Sequence, residues 1–183
     1  MKKNLWIVGG GAAIGKALAE RLCVDYQIIS IHRKVGQRVT NDGVIHEAID
    51  LADLTELERS IGLINAQYPP TAIVFAQRYR PLVEMADHLS LALATEIQSS
   101  ATIVDVVNQS PSASLVSVLF LTSINYKLIN KKLPLWYHIT KSAQVTLTKY
   151  LAVSNEDTNF NVNAIELGSF LKWKVPGLTV NCI

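Results

Sequence analysis

The stretch VGGGAAIGKALAERL, residues 8–22, places four glycines between an apolar run and a helical pattern. Leu5 to Val8 is short and apolar, which predicts a buried strand. Beyond the glycines, apolar residues recur every three or four positions, which predicts a helix with one packed face; they are Ile14, Ala17, Leu18 and Leu22. Glycines at such a junction serve either a tight turn or the close approach of a phosphate to N–H groups at the helix N-terminus. The glycines alone leave both interpretations open.

The rest of the chain continues the alternation of strand and helix. Further strands are predicted at residues 27–31, 44–49, 71–76, 115–121 and 161–165. Helical patterns follow Asp53, which forms a capping-box pattern with Glu56, then cover residues 82–107 with a break near Ser90, and finally run from Pro134 to about 153. Alternating strands and helices predict right-handed βαβ units. We therefore expect an α/β fold with a doubly wound, Rossmann-like parallel sheet and helices on both faces.

Length and composition limit the class of protein. The chain has 183 residues, 49% hydrophobic and 17% charged, which predicts one domain spanning 1–183. The formal net charge of +2 is too small to favour a nucleic-acid or membrane partner. Cys23 and Cys182 lie far apart, no segment is long and apolar enough to span a bilayer, and the four histidines lack metal-ligand spacing. We expect a cytoplasmic protein without a metal.

The second predicted strand ends in His32, Arg33 and Lys34, at the position where folds selective for NAD place an acidic residue. A basic cluster there suits the 2′-phosphate of NADP; a solvated cationic loop would give the same pattern. Asp50, at the end of the third strand, is suited to accept a hydrogen bond from an adenine amino group or to serve as an ordinary turn residue.

Tyr137 and Lys141 are four residues apart near the start of a predicted helix, so their side chains lie on one face. A nearby ammonium favours the phenolate and lowers the pKa of a tyrosine, which suits proton transfer near neutral pH. Ser123 lies just past the fifth strand and is equally explained as a turn residue. Strand ends and helix starts share one sheet edge, so we expect all three side chains beside the glycine turn, around a carbonyl oxygen.

In combination, these residues resemble the short-chain dehydrogenase/reductase family. Residues 8–15 match its TGxxxGxG signature except at Val8 and Ala13. The family's Ser…Tyr-x-x-x-Lys set corresponds to the serine, tyrosine and lysine just described. The segment NVNAIELGSF, residues 161–170, resembles the family's RVNAIxPG segment, and Asp50-Leu51 resembles its Asp-Val pair.

The resemblance implies an NADP(H)-dependent oxidoreductase that interconverts a carbonyl and an alcohol. Tyr137 would be the acid or base, Ser123 would hold the oxygen, and Lys141 would support Tyr137 and contact the nicotinamide ribose. The implied cofactor-binding residues are Gly9, Gly11, Ile14, Gly15, His32, Arg33, Lys34, Asp50, Ala76 and Lys141.

The chain also departs from the family pattern. Residues 74–77 (VFAQ) keep only the alanine of the family's NNAG turn, and no asparagine occurs at residues 98–100, where the family has a helix asparagine. Ser123 and Tyr137 are one residue further apart than in the family. Residues 170–176 stand in place of a long substrate lid and residues 177–183 in place of a seventh strand, so we expect the lid to be shortened or missing.

Two functions are compatible with the sequence. The first is the oxidoreductase, acting on a small carbonyl or alcohol substrate. The second is a catalytically impaired NADP(H)-binding sensor or scaffold, which the absent asparagine and lid favour. For either function, apolar residues on more than one side of the helices around 89–107 and 135–153 predict a homodimer or homotetramer.

Overall fold

The sheet has the strand order of a doubly wound fold. The computed structural model describes residues 2–33, 43–81, 87–110, 115–168 and 181–182, and in these ranges seven strands form one sheet of order β3-β2-β1-β4-β5-β6-β7. The first six strands are parallel. The order reverses between β1 and β4, where open parallel sheets bind their ligands. The strands are β1 Lys3–Val8, β2 Tyr26–His32, β3 Val44–Ala48, β4 Ala72–Phe75, β5 Val116–Ser123, β6 Phe160–Leu167 and β7 Asn181–Cys182.

The helices lie between the parallel strands, as the sequence predicts. They are α1 Ala13–Leu22, α2 Leu54–Gln67, α3 His88–Leu93, α4 Ser99–Asn108 and α5 Leu135–Ser154. A π-helical turn, Ala94–Gln98, joins α3 to α4, and a short 3₁₀ turn, Ile124–Tyr126, follows β5. Among the helices of the described ranges, none has the length and hydropathy needed to cross a bilayer.

Both faces of the sheet are covered, because side chains of a strand point alternately to either side. Trp6 and Val8 of β1 belong to a core that includes residues of α2, α4 and α5. Leu5 and Ile7 belong to a second cluster, against which α1 packs. Strands that are apolar on both faces are typical of a parallel sheet between helix layers. The predicted fold class is confirmed.

The predicted capping box of α2 forms only in part. The Asp53 side chain accepts a hydrogen bond from Glu56 N at 3.1 Å, which caps the helix as predicted. The reciprocal bond is absent, because the Asp53 N–H already donates to the Asp50 carbonyl. The Glu56 carboxylate instead accepts hydrogen bonds from Arg59 and Ser60, and these hold its pKa below the usual value.

Ser90, near which the helix break is predicted, is itself helical, and the non-helical residue nearest to it is Asp87. Asp87 caps α3 through Ser90 N at 3.0 Å, so Ser90 lies in the first turn of a regular helix. The irregularity occurs later, at the π-helical turn. The predicted start of this helix, residues 82–86, lies outside the described residues.

The last strand departs from the parallel sheet that the alternation of strands and helices predicts. Asn181–Cys182 pairs antiparallel with β6. Residues 168–180, which separate β6 from β7, have about the minimum length for a parallel crossover, whereas an antiparallel return needs fewer residues. The segment expected in place of the lid, residues 170–176, lies outside the described residues.

Candidate cofactor and active site

The turn between β1 and α1 requires glycine. Gly9 has a φ of +88°, which side-chain-bearing residues avoid, and a Cβ there would lie 2.5 Å from Gln77 Cα. A Cβ on Gly15 would lie 2.5 Å from the Gly9 carbonyl oxygen, and one on Gly10 would collide with Ser30 Oγ. The glycines therefore let α1, β2 and the end of β4 pack closely around the turn. This structural role is independent of any phosphate.

The N-terminus of α1 is also open to a ligand. Ala12 is the N-cap residue and provides no side-chain cap. The first N–H groups of a helix have no partner within the helix, and they carry a partial positive charge that attracts phosphate. The structural and the phosphate-binding interpretations of the glycines are thus compatible.

A cavity of about 520 Å³ lies at this turn. Its volume is typical of small-molecule sites, which are about 300–1,000 Å³. The glycine turn, the ends of β2 and β3, and the segment after β4 contribute to its lining. The lining residues include Gly9, Gly10, Gly11, Lys16, Ser30, His32, Arg33, His46, Asp50, Gln77, Arg78, Tyr79 and Arg80.

The cavity is lined by more cations than acids. Lys16, Arg33, Arg78 and Arg80 all line it, and none of them forms an ion pair with another described residue. Among the described residues, the acidic members of the lining are Glu20 and Asp50. Because four cations face two carboxylates, the cavity favours a ligand with several negative charges.

Two buried polar atoms beside the cavity have no hydrogen-bond partner among the described residues. They are Ser30 Oγ and Gln77 Oε1. The Gln77 amide nitrogen donates to Ser100 Oγ at 2.7 Å, which fixes the side chain and leaves its oxygen as an acceptor. Buried polar groups are normally paired, so a ligand with a hydrogen-bond donor suits this position.

Three of the residues predicted to bind the adenosine side of a cofactor line the cavity. His32 and Arg33 are at the end of β2, and His32 Nε2 lies 3.0 Å from His46 Nδ1. Asp50 also lines the cavity. Its carboxylate accepts a hydrogen bond from Ala52 N at 3.0 Å, as expected of an ordinary turn residue. Lys34 lies outside the described residues.

Of the other predicted cofactor residues, two line the cavity and four do not. Gly9 and Gly11 line the cavity, whereas Ile14, Gly15, Ala76 and Lys141 are not among its lining residues. Gly15 and Ala76 pack against the glycine turn, and Ile14 is 39% exposed on α1.

Ser123 and Tyr137 are held near the start of α5. Ser123 is the last residue of β5, not the first residue beyond it, and its Oγ accepts a hydrogen bond from Asn125 Nδ2 at 2.9 Å. The Asn125 carbonyl oxygen lies 2.8 Å from Nδ1 of His138, so the turn after β5 is tied to α5. The Tyr137 side chain is buried. His138 therefore has a structural role beside Tyr137.

Arg78 connects the cavity with Tyr137. Its guanidinium carbon lies 4.4 Å from the centroid of the Tyr137 ring, and Arg78 also lines the cavity. Tyr137 is therefore at the same sheet edge as the glycine turn, where the sequence predicts it. Arg78 covers one face of its ring.

Lys141 forms a buried ion pair. Its Nζ lies 2.8 Å from Glu96 Oε2 and 2.8 Å from Gln144 Oε1, and both charged side chains are buried. The other Glu96 oxygen accepts a hydrogen bond from Tyr79 N at 2.9 Å. Lys141 Nζ is 5.7 Å from the centroid of the Tyr137 ring. The lysine is thus close to Tyr137, but two of its three donors are already used by the protein.

Glu96 and Arg78 were not predicted from the sequence. The family pattern predicts an asparagine at residues 98–100, whereas in the structure Glu96 of the π-helical turn contacts Lys141. One signal was available: Glu96 is the only acidic residue between Asp87 and Asp105, in an otherwise mostly apolar and small-residue helix. Arg78 lies three residues beyond the end of β4, at the carboxyl edge of the sheet where ligands of such folds bind.

The structure is similar to solved structures of short-chain dehydrogenases/reductases. One is an oxidoreductase of that family from Brucella ovis in complex with a partially ordered NAD; the TM-score is 0.83 and the identity 19%, over 93% of this chain and 85% of that chain. Another is a short-chain dehydrogenase from Leptospira borgpetersenii with bound NAD+, with TM-score 0.82 and 17% identity over 96% and 74% of the two chains. A third, from Francisella tularensis, has TM-score 0.77 and 19% identity over 92% and 70%.

These similarities show the fold. The chain has the fold of short-chain dehydrogenases/reductases, which confirms the resemblance inferred from its motifs. No protein-family model matches the chain, and no curated protein matches its sequence. Within the described residues, no group of three or more histidine, cysteine, aspartate or glutamate side chains is arranged to hold a metal ion.

Proposed function

We propose that the protein is an NADP(H)-dependent oxidoreductase that interconverts a carbonyl and an alcohol. The cavity at the glycine turn is the observation that carries the proposal. It combines an uncapped helix N-terminus with an excess of cations and a buried, unpartnered acceptor at Gln77. The phosphates of a dinucleotide suit the helix N-terminus and the cations, and its hydroxyl and amino groups can donate to the Gln77 oxygen. The residues present therefore fit a dinucleotide.

Arg33 supports NADP(H) over NAD(H). It follows β2 and lines the cavity without a described acidic partner. A guanidinium binds a phosphate through two parallel hydrogen bonds, whereas the 2′-hydroxyl of NAD is usually bound by a carboxylate at this position. Two of the similar structures contain NAD, so the preference for NADP(H) rests on this chain's own residues.

The proposed reaction adds a hydride and a proton to a carbonyl group. Bound NADPH would supply the hydride to the carbonyl carbon. The Tyr137 hydroxyl would give its proton to the carbonyl oxygen and regain one from solvent. Because Ser123 Oγ accepts its hydrogen bonds from Asn125, the serine O–H is available to donate to the same oxygen. Lys141 retains one N–H donor for a ribose hydroxyl.

The proposal is tested by NADPH oxidation with a panel of aldehydes, ketones and oxo acids. Tyr137→Phe removes the proton donor, and we expect kcat/KM to fall by about 100-fold or more, as is typical of general acid–base residues, with unchanged affinity for NADPH. Tyr150→Phe is the matched control, because Tyr150 lies on the same helix and is 67% exposed. Equal rates for the Tyr137→Phe variant and the parent protein would exclude Tyr137 as the acid.

A second candidate function is NADP(H) binding without turnover. Two contacts favour this function. Lys141 is engaged in an ion pair with Glu96, and the guanidinium of Arg78 covers the Tyr137 ring; the proposed reaction needs both Lys141 and Tyr137. Tight NADPH binding together with no oxidation of NADPH by any compound of the panel would favour this sensor or scaffold function over the enzyme.

We also infer a homodimer or homotetramer, built through α3, α4 and α5. Leu135, Tyr150 and Val153 of α5 are each at least two-thirds exposed, with values of 74%, 67% and 68%. Exposed apolar side chains on one helix favour burial against a partner. In α4, Ile103 is buried and Val106 packs against the core of the same chain. The exposed apolar side chains that support an interface are therefore mainly those of α5. Light scattering at micromolar concentration measures the mass of the assembly. The mass of a monomer would contradict the inferred homodimer or homotetramer.

A further inference from the structure

We propose that Arg78 and Arg80 form a second anion-binding site beside Tyr137, which holds a carboxylate or phosphate group of the substrate. This inference rests on the proposed function and narrows the substrate to acidic carbonyl or alcohol compounds. It concerns the segment of residues 77–80, which follows β4.

The segment alternates between buried and exposed side chains. Gln77 is 4% exposed and Tyr79 is 6% exposed, whereas Arg78 and Arg80 are exposed to solvent. Both arginines line the cavity. The two arginines therefore line the same space, and they belong to a segment whose other residues are fixed in the protein.

Tyr79 fixes the segment through three contacts. Its N–H donates to Glu96 Oε1 at 2.9 Å, and its hydroxyl lies 3.1 Å from His88 Nδ1. Its ring packs edge-on against Trp136, with 5.2 Å between the ring centroids. A binding residue on an anchored backbone loses less conformational entropy when it holds a ligand. Tyr79 thus preorganises the arginines on either side of it.

Arg78 lies at the Tyr137 end of the cavity. Its guanidinium stacks on the Tyr137 ring, 4.4 Å from the centroid, and has no acidic partner among the described residues. A substrate whose carbonyl oxygen is within reach of the Tyr137 hydroxyl would place an anionic group near its carbonyl carbon close to Arg78. A planar guanidinium binds such a group through two hydrogen bonds.

The diphosphate of the cofactor is the other possible source of anionic oxygens. The glycine turn and the N-terminus of α1 already provide for the diphosphate, and Lys16 and Arg33 line the cavity on that side. The contact of Arg78 with Tyr137 places it at the substrate end. We therefore assign the second site to the substrate, and the experiment separates the two sources.

Oxalate is the probe, because it carries two carboxylates and no reducible carbonyl. We would titrate it calorimetrically into the full chain, with and without saturating NADP+, and determine the affinity for NADP+ separately. The variants are Arg78→Gln, Arg78→Lys and the control Arg21→Gln, which changes an exposed arginine of α1 outside the cavity lining.

We expect oxalate to bind the NADP+-saturated protein and Arg78→Gln to weaken that binding by about 10- to 100-fold, as for other hydrogen bonds to charged groups. Arg78→Lys should restore part of the affinity, and Arg21→Gln should not change it. Affinity for NADP+ should be the same in all four proteins.

The proposal is overturned if oxalate does not bind, if NADP+ displaces it, or if Arg78→Gln weakens NADP+ binding as much as oxalate binding. The last two results would assign the arginines to the cofactor phosphates. Failure of the parent protein to bind NADP+ would instead contradict the proposed function. Oxalate binding that depends on Arg78 would still support the second anion site in that case.

Discussion

The buried pair of Glu96 and Lys141 determines how Lys141 can act. Its two charged groups lie 2.8 Å apart and are excluded from solvent. Gln144 takes a second donor of the lysine. The lysine is thus held rigidly close to Tyr137. Any contact with a ribose must use its one remaining N–H.

Breaking this pair should strongly destabilise the protein. Glu96→Gln leaves a buried ammonium without a counter-charge, and Lys141→Met leaves a buried carboxylate. We expect each change to lower the free energy of unfolding by about 3–5 kcal/mol, as for other buried ion pairs. In the double variant neither charge is left alone, so its loss should be smaller than the sum of the two. Chemical denaturation measures all three differences.

Glu56→Gln is the control for these variants. Glu56 also pairs with a cation, Arg59, at 2.7 Å, but both side chains are largely exposed. Exposed pairs contribute little, so this change should leave the free energy of unfolding nearly unchanged. Additive losses in the Glu96 and Lys141 double variant would show that the two charges do not stabilise each other.

Single residues could be predicted from the sequence where their chemistry depends on local spacing. The glycines, and Tyr137 with Lys141 one helical turn away, are examples, and the structure places Tyr137 at the edge that holds the glycine turn. The pairing of Glu96 with Lys141 could not be predicted, because the two residues are separated by 45 residues of sequence. That contact depends on how the π-helical turn orients its side chains, which local periodicity does not encode.

Helix caps act at the scale of a whole element, and Asp53 provides one. Its carboxylate accepts a hydrogen bond from Glu56 N in the first turn of α2. We expect Asp53→Ala to lower the free energy of unfolding by about 1 kcal/mol, the usual effect of losing an N-cap. Denaturant unfolding measures this change. Asp25→Ala is the control, because the Asp25 carboxylate makes no hydrogen bond with a described residue. A similar loss of unfolding free energy in both variants would mean that the hydrogen bond from Glu56 N to Asp53 does not stabilise the protein.

Elements were predictable where apolar periodicity continues without interruption. The bounds of β1, β2 and α5 agree with the sequence pattern to within two residues. The residue pattern from α3 to α4 predicts a helix with a break near Ser90, and the structure shows a change of hydrogen bonding at Ala94–Gln98. A π-helical turn keeps the backbone helical, so the pattern of residue types shows no gap there.

At the scale of the whole molecule, the alternation of strands and helices determines the parallel sheet. The reversal of strand order between β1 and β4 then brings the glycine turn, the end of β2 and the segment after β4 around one cavity. The sequence predicted the first two of these three, and of the segment after β4 it predicted only Ala76. Arg78 and Arg80 were not predicted, because the direction of their side chains depends on the path of the chain beyond β4.

Binding of NADPH and NADH to the parent protein, compared by calorimetry, tests the central claim most directly. The cavity at the glycine turn, with Arg33 beside it, predicts that NADPH binds about 10- to 100-fold more tightly than NADH. It also predicts that Arg33→Gln removes most of this difference. Equal affinities for the two nucleotides would contradict the role of Arg33, and binding of neither would contradict the assignment of the cavity to a nicotinamide dinucleotide.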